Sequence, residues 1–284
     1  MSKLALAILL SAVFCSCDLE GNSQDSKQER KFNYSYACVD STVAGENFSK
    51  HVDKAGDLIR DLAVSKKDVT DQVQSEYGAA FHKDAIETGT FKLLKDATIQ
   101  SELETALKKL LAAREKPSAI DYHIYALDDS IVNAFTFGGR IYVTKGMYQK
   151  CRGNSALLYS IVGHEIGHSE MGHIKKTIQE MILANKVFGE ENGTLAFQIK
   201  RMLTGAFNQK NELEADYYGT DLTYELNQDV CSAVTFWQEM SKQENEYSRF
   251  EDFLRSHPFS ALRAQCLQSH IATNFNRNCS PVIK

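Results

Sequence analysis

The sequence has only 3 prolines in 284 residues, no long apolar run and no excess of positive charge. Scarce proline and 16 glycines exclude a collagenous chain, and 43% hydrophobic residues exclude a disordered one. A permanent membrane helix needs roughly 20 apolar residues, and the run Leu4–Phe14 is far shorter. Lys and Arg total 32 against 37 Asp and Glu, a net charge of −5, which argues against a nucleic-acid partner. Seven cysteines are too few for a disulfide-built miniprotein, and none has the C-x-x-C spacing of a cysteine zinc site. What remains fits one large domain or two small ones with a substantial core. Long stretches of Ala, Leu, Lys and Glu favour helix.

Residues 1–17, MSKLALAILLSAVFCSC, have the layout of a bacterial secretory signal: Lys3, a short apolar run, then small residues. Ser16 before Cys17 makes Cys17 the candidate lipidated cysteine; the alternative is a cleaved soluble signal. Residues 18–35 form a tether, almost free of large apolar residues as far as Arg30. Residues 36–284 are read as the functional domain. Export would place Cys38, Cys151, Cys231, Cys266 and Cys279 in an oxidising compartment. Five is odd, so at least one of them has no partner within the chain.

In the domain, Phe48–Val64 has apolar residues at helical period. Ser101–Arg114 is a second helix, with Ser101 and Glu104 at capping-box spacing and Pro117 ending it. Residues 120–125 read as a strand. Asn133–Phe137, Gly138-Gly139 and Arg140–Thr144 read as a hairpin, because paired glycines supply the positive φ that a tight turn needs. The expected fold class is α+β, predominantly helical, with a small antiparallel sheet.

Gly163-His164-Glu165-Ile166-Gly167-His168 contains H-E-x-x-H. On a helix capped by Asn154, four residues turn only about 40° past a full circle, so both imidazoles leave one face and can grip one zinc ion. Glu165 beside them can take a proton from a metal-bound water. Downstream, Glu212-Leu213-Glu214-Ala215-Asp216 repeats the four-residue spacing. Glu212 can be the third ligand, and Asp216 can accept a hydrogen bond from the far nitrogen of a ligand histidine. Glu214 lies about 200° round the helix from Glu212 and is read as a solvated charge. The metzincin pattern is excluded, since Met171 and Ile174 stand where it needs Gly and His. His173 lies about 140° round a continued helix from His168 and is read as structural or as a neighbour behind the ligands. His51, His82, His123 and His270 have no partner at ligand spacing and are read as surface or core, and Trp237 is read as core.

These elements, with Asn133-Ala134-Phe135, the Gly139–Gly146 stretch, Gly172-His173-Ile174-Lys175-Lys176 and Ser256–Gln265, resemble the HtpX-type zinc metallopeptidases, above all their short periplasmic lipoprotein branch. The likeness covers roughly residues 120–270. It implies a zincin-type fold with the H-E-x-x-H helix at its centre and one Zn2+ per chain. It implies an edge strand at Asn133, Ala134 and Phe135 that binds extended substrate by β-augmentation. It implies His257 as a catalytic residue near the metal and Arg263 as a residue behind the ligands. Its substrates would be misfolded or misassembled envelope proteins, with a link to the outer-membrane assembly machinery. A disulfide between Cys38 and Cys151 is implied by the same likeness. Asp18 after Cys17 resembles an inner-membrane retention signal, whereas the family resemblance implies the outer membrane, the placement adopted here. Two other classes remain: a zinc-stabilised periplasmic chaperone without proteolysis, and an envelope scaffold with an accidental motif.

Overall fold

The computed structural model describes residues 31–40, 65, 68–188, 208–242, 257–258 and 260–279. The candidate lipidation site Cys17 and the helix expected over Phe48–Val64 lie outside them. Contacts group Phe32–Lys284 into one compact unit. In chain order its elements are α1 (Ala37–Asp40), α2 (Asp71–Glu87), α3 (Ala97–Ala112), β1 (His123–Leu127), β2 (Ala134–Phe137), β3 (Arg140–Thr144), α4 (Lys145–Cys151), α5 (Ser155–Glu170), α6 (His173–Phe188), α7 (Gln209–Glu225), α8 (Cys231–Ser241) and α9 (Ser260–Phe275). The chain is predominantly helical, as its composition implies.

The hairpin forms where the glycine pair places it, with Gly138 and Gly139 at φ 58° and 83°. Phe135 pairs with Tyr142 and Thr136 with Ile141, antiparallel. The sheet as a whole is mixed, which corrects the antiparallel expectation. Its order is β1-β3-β2, and β1 runs parallel to β3. The chain crosses from β1 to the far edge before the hairpin returns β3 to the middle, so β3 must run in the direction of β1. The helix expected from Ser101 starts earlier. Asp96 caps α3 by accepting from the amides of Thr98 and Ile99, so a stronger cap upstream displaces the Ser101–Glu104 box.

The sheet divides two cores. On one side Ile124, Ile141 and Val143 pack with α3, α5, α7, α8 and α9. On the other, Phe137 and Tyr142 pack with Phe81 of α2 and Ile174 and Ile178 of α6. Helix α5 lies in the first core with every residue from Ala156 to Ser169 buried. Its cap is Asn154, whose side chain accepts from the Leu157 amide at 3.0 Å.

Helices α5 and α7 touch backbone to backbone. A Cβ on Gly163 would lie 2.9 Å from the Gly219 Cα, one on Gly167 2.8 Å from the Ala215 Cα, and one on Gly219 2.5 Å from the His164 amide nitrogen. No side chain larger than hydrogen fits at that crossing.

An extended strap ahead of α1 runs along α7. Phe32 meets Tyr224, the Tyr34 hydroxyl donates to Asp221 at 2.9 Å, and the Tyr36 hydroxyl donates to Glu214 at 2.8 Å. Alternate residues of the extended chain thus meet one face of α7 at points one and then two turns apart. The strap is fastened by a Cys38–Cys266 disulfide, and Cys231 pairs with Cys279. The Cys38–Cys151 expectation is therefore wrong. Cys151 ends α4 inside the first core, while Cys38 lies against α9. Cys151 is a buried free thiol, pushed up to about 12 by burial.

Gly219→Ala should cost about 1–3 kcal/mol, because the new methyl overpacks a crossing that cannot yield. Urea unfolding of the variant measures this, and unchanged stability would show that the two backbones are free to separate. Cys151 should resist alkylation in the native protein and react only after unfolding, because its thiolate is scarce and covered. Peptide mapping under non-reducing conditions should recover Cys38–Cys266 and Cys231–Cys279. A Cys151-containing bridge would refute whichever of the two assignments loses its cysteine.

Candidate metal centre

The four-residue spacing on α5 turns His164, at 4% exposure, and His168, at 0%, into the same buried space. Their Nε2 atoms are 3.0 Å apart, and the rings stand nearly perpendicular at 4.6 Å. Across the crossing, α7 is capped by Asn208 and brings Glu212 in its first turn. Glu212 Oε2 lies 3.6 Å from His164 Nε2, and Oε1 lies 3.6 Å from His168 Nε2. His257 joins them, with Nδ1 3.2 Å from Glu212 Oε2 and 3.3 Å from His164 Nε2. One candidate ligand atom from each of His164, His168, Glu212 and His257 falls within 4.8 Å of all the others.

The residues fit a zinc ion. Ligand atoms ~2.0–2.2 Å from one tetrahedral centre stand about 3.3–3.6 Å apart, close to the separations found. Two imidazole nitrogens facing each other leave lone pairs opposed unless a proton or cation lies between them. Both carboxylate oxygens of Glu165 and Oε1 of Glu212 are buried without a hydrogen bond, and buried polar atoms ordinarily have one. Two histidines and a glutamate are a common catalytic zinc set.

Asp216 lies one turn from Glu212, and its Oδ1 is 2.9 Å from His164 Nδ1. That contact keeps the His164 proton on Nδ1 and leaves Nε2 bare. Arg263 of α9 donates to both oxygens of Asp216 at 2.7 and 2.6 Å and reaches Glu212 Oε2 at 2.7 Å. Its guanidinium lies 3.4 Å over the Trp237 ring.

The charges follow from these neighbours. Burial, the largest influence, pushes the Glu165 carboxyl above its ordinary value, while His257 and His164 oppose it. Burial also acts to raise Asp216 and Glu212, but in both it is outweighed, chiefly by Arg263. Asp216 is held at about 2, and Glu212 is held below the ordinary glutamate value. His168 is driven well below its usual value by burial first and then by His164, His173, His257 and Arg263. It therefore stands neutral at pH 7, the form that offers a lone pair.

Among the described residues, Asn133, Ala134 and Phe135 sit at an edge of the sheet that no further strand covers. The Ala134 carbonyl lies 3.3 Å from His257 Nε2, and the Phe135 ring stacks on Tyr142 at 4.8 Å. The Asn133 carbonyl accepts from Thr144 of β3, so by strand alternation Ala134 turns its polar groups away from β3.

The Glu214 reading needs correction, and His173 reaches its expected place behind the ligands by a different path. Glu214 is not a solvated charge, since its side chain is 15% exposed and is bonded by Tyr36 and His173. The strap covers that side of α7, and local sequence carries no signal of it. His173 does not continue the α5 helix. The helix ends at Glu170, and Gly172 at φ 80° turns the chain so that His173 Nδ1 comes back to 3.0 Å from His168 Nδ1. His270 is buried and bonded to Asp221 at 2.7 Å, remote from the centre.

Residues 94–271 match Peptidase family M48. Among individual proteins, the chain is similar to metalloprotease LoiP of Escherichia coli (strain K12), 27% identical over 60% of this chain and 70% of that protein. It is 25% identical to the mitochondrial metalloendopeptidase OMA1 of Schizosaccharomyces pombe, over 57% of this chain and 50% of that protein. It is 23% identical to the beta-barrel assembly-enhancing protease of Escherichia coli (strain K12), over 62% and 39%. The matched segment thus spans half or less of the last two.

Purified wild-type protein should hold about one zinc ion per chain, and Glu212→Ala or His168→Ala should lose nearly all of it. Asp216→Ala should weaken zinc on the order of 10–100-fold. Metal analysis after dialysis against a weak chelator reads all three, and full zinc in Glu212→Ala would remove Glu212 from the ligand set.

Proposed function

This chain belongs to peptidase family M48, and from that premise we propose that it is a zinc-dependent endopeptidase of the bacterial cell envelope that degrades misfolded or misassembled envelope proteins. The observation that carries the reading is Glu165: fully buried, beside two converging histidines, with both oxygens free of hydrogen bonds. A structural metal site needs no such group.

His164, His168 and Glu212 would hold the ion. Zinc bound there supplies a Lewis acid for the scissile carbonyl and lowers the pKa of a bound water. Glu165 takes the proton from the attacking water and later delivers it to the leaving amine, a role suited to a carboxyl raised by burial. The edge at Ala134 turns its backbone groups away from β3 beside the centre, with the carbonyl held by His257 until an extended substrate strand takes its place and extends the sheet. His257 stands between that edge and Glu212, within reach of a substrate carbonyl. Asp216 and Arg263 hold the ligands in place.

The envelope placement rests on the apparent signal ending at Cys17 and on the similarity to LoiP and to the beta-barrel assembly-enhancing protease. Lipidation at Cys17 would anchor the chain on the periplasmic side, by preference at the outer membrane. Among the described residues no helix is long and apolar enough to cross a membrane. Partners would be unfolded envelope proteins and the outer-membrane assembly machinery.

One observation favours a second reading. With His257 counted, the centre has four protein donors, the number of a closed structural site. A zinc-stabilised chaperone without proteolysis would look like this.

Glu165→Gln separates the two. It should keep zinc and fold, and lose casein cleavage by at least 100-fold. Envelope proteins that accumulate in cells carrying it, identified by mass spectrometry, are the substrates. Cleavage within tenfold of wild type would dismiss Glu165 as the base, and a wild type that holds zinc but never cleaves would favour the chaperone.

A further inference from the structure

His173, Glu214 and Tyr36 lie outside the donor set, and the mechanism above uses none of them. They nevertheless form one continuous line ending on His168. His173 Nδ1 is 3.0 Å from His168 Nδ1, His173 Nε2 is 3.0 Å from Glu214 Oε2, and the Tyr36 hydroxyl donates to Glu214 Oε1 at 2.8 Å. His173 is 5% exposed, and nothing in ordinary core packing requires two imidazoles joined nitrogen to nitrogen.

The protons along the line follow from one constraint. His168 turns Nε2 toward His164 and Glu212. To offer a lone pair there, a neutral imidazole must carry its single proton on Nδ1. That proton points at His173 Nδ1, which must then accept. His173 therefore carries its own proton on Nε2, aimed at Glu214. An ionised carboxylate only accepts, so Glu214 fixes this direction, and the Tyr36 hydroxyl satisfies its other oxygen. Asp216 does the same for His164 directly.

We propose that Tyr36, Glu214 and His173 are a positioning chain that fixes the tautomer and ring orientation of His168 and so sets how tightly the centre holds its metal. The proposal rests on the reading of His168 as a zinc ligand. Carboxylates behind ligand histidines have this effect generally. Here the carboxylate acts at one remove, through a second imidazole that the Gly172 turn brings back to the end of α5. Its far end is the strap, held two residues beyond Tyr36 by the Cys38–Cys266 disulfide.

The test uses the full chain. Nitrogen-15 NMR of wild type as purified should show His173 protonated on Nε2 and His168 on Nδ1. Zinc affinity, measured against a competing chelator, should fall on the order of 10–100-fold in Glu214→Ala and in His173→Phe. Glu214→Gln keeps an acceptor for His173 and should recover most of that loss. Tyr36→Phe should cost a few-fold at most. A merely structural role predicts neither the tautomer nor the recovery. The proposal is overturned if wild type as purified carries the His173 proton on Nδ1, a reading that needs no variant to fold. It is equally overturned if Glu214→Ala and His173→Phe fold and bind zinc within threefold of wild type. If wild type binds no zinc at all, the metal-site reading fails, while the tautomer measurement still decides whether the chain orients His168.

Discussion

Gly163 and Gly219 meet where α5 crosses α7, and no side chain stands between the two backbones. At ordinary helix spacing of 8–10 Å, side chains from each helix would interdigitate and hold the two ligand faces apart. Here the short reach of Glu212 and Asp216 suffices to touch the imidazoles of His164 and His168. The sheet and the strap pack against the helices of this contact. The charged cluster exists only because the crossing is so close.

That cluster contains more acid than a buried site can hold alone. Glu165, Glu212 and Asp216 are almost fully buried, and Arg263 is the cation that offsets two of them. An uncompensated charge in such a place costs several kcal/mol. Arg263 is in turn flattened on Trp237, a cation–π contact that favours a desolvated guanidinium. Glu165 has His257 at 3.6 Å in place of the arginine, and it is the acid whose protonation the proposed mechanism requires to change.

The centre was legible because its geometry is local. His164 with His168 and Glu212 with Asp216 follow from 3.6 residues per turn alone. The glycine pair announces the hairpin, and Asn154 announces the start of α5. Each remaining feature depends on contacts remote in sequence. The parallel pairing of β1 with β3 follows from a crossover that neither strand encodes. His173 was placed by extending a helix that ends three residues earlier, so the angular argument measured a helix that does not exist. Glu214 looked solvated because its cover comes from Tyr36, 178 positions away. The disulfide partners of Cys38 and Cys231 depend on how α9 packs, which a cysteine count cannot supply.

The Cys38–Cys266 bridge joins residues 228 positions apart. A chain exported amino end first presents Cys38 long before Cys266 has crossed the membrane. Until then the strap has no anchor, Tyr36 has no fixed place beside Glu214, and α9 has not delivered Arg263 to the acids. If the chain is exported as proposed, the centre is completed only after almost the whole polypeptide is outside. On the proposed function, proteolysis would thus be withheld from a nascent chain that is itself still unfolded.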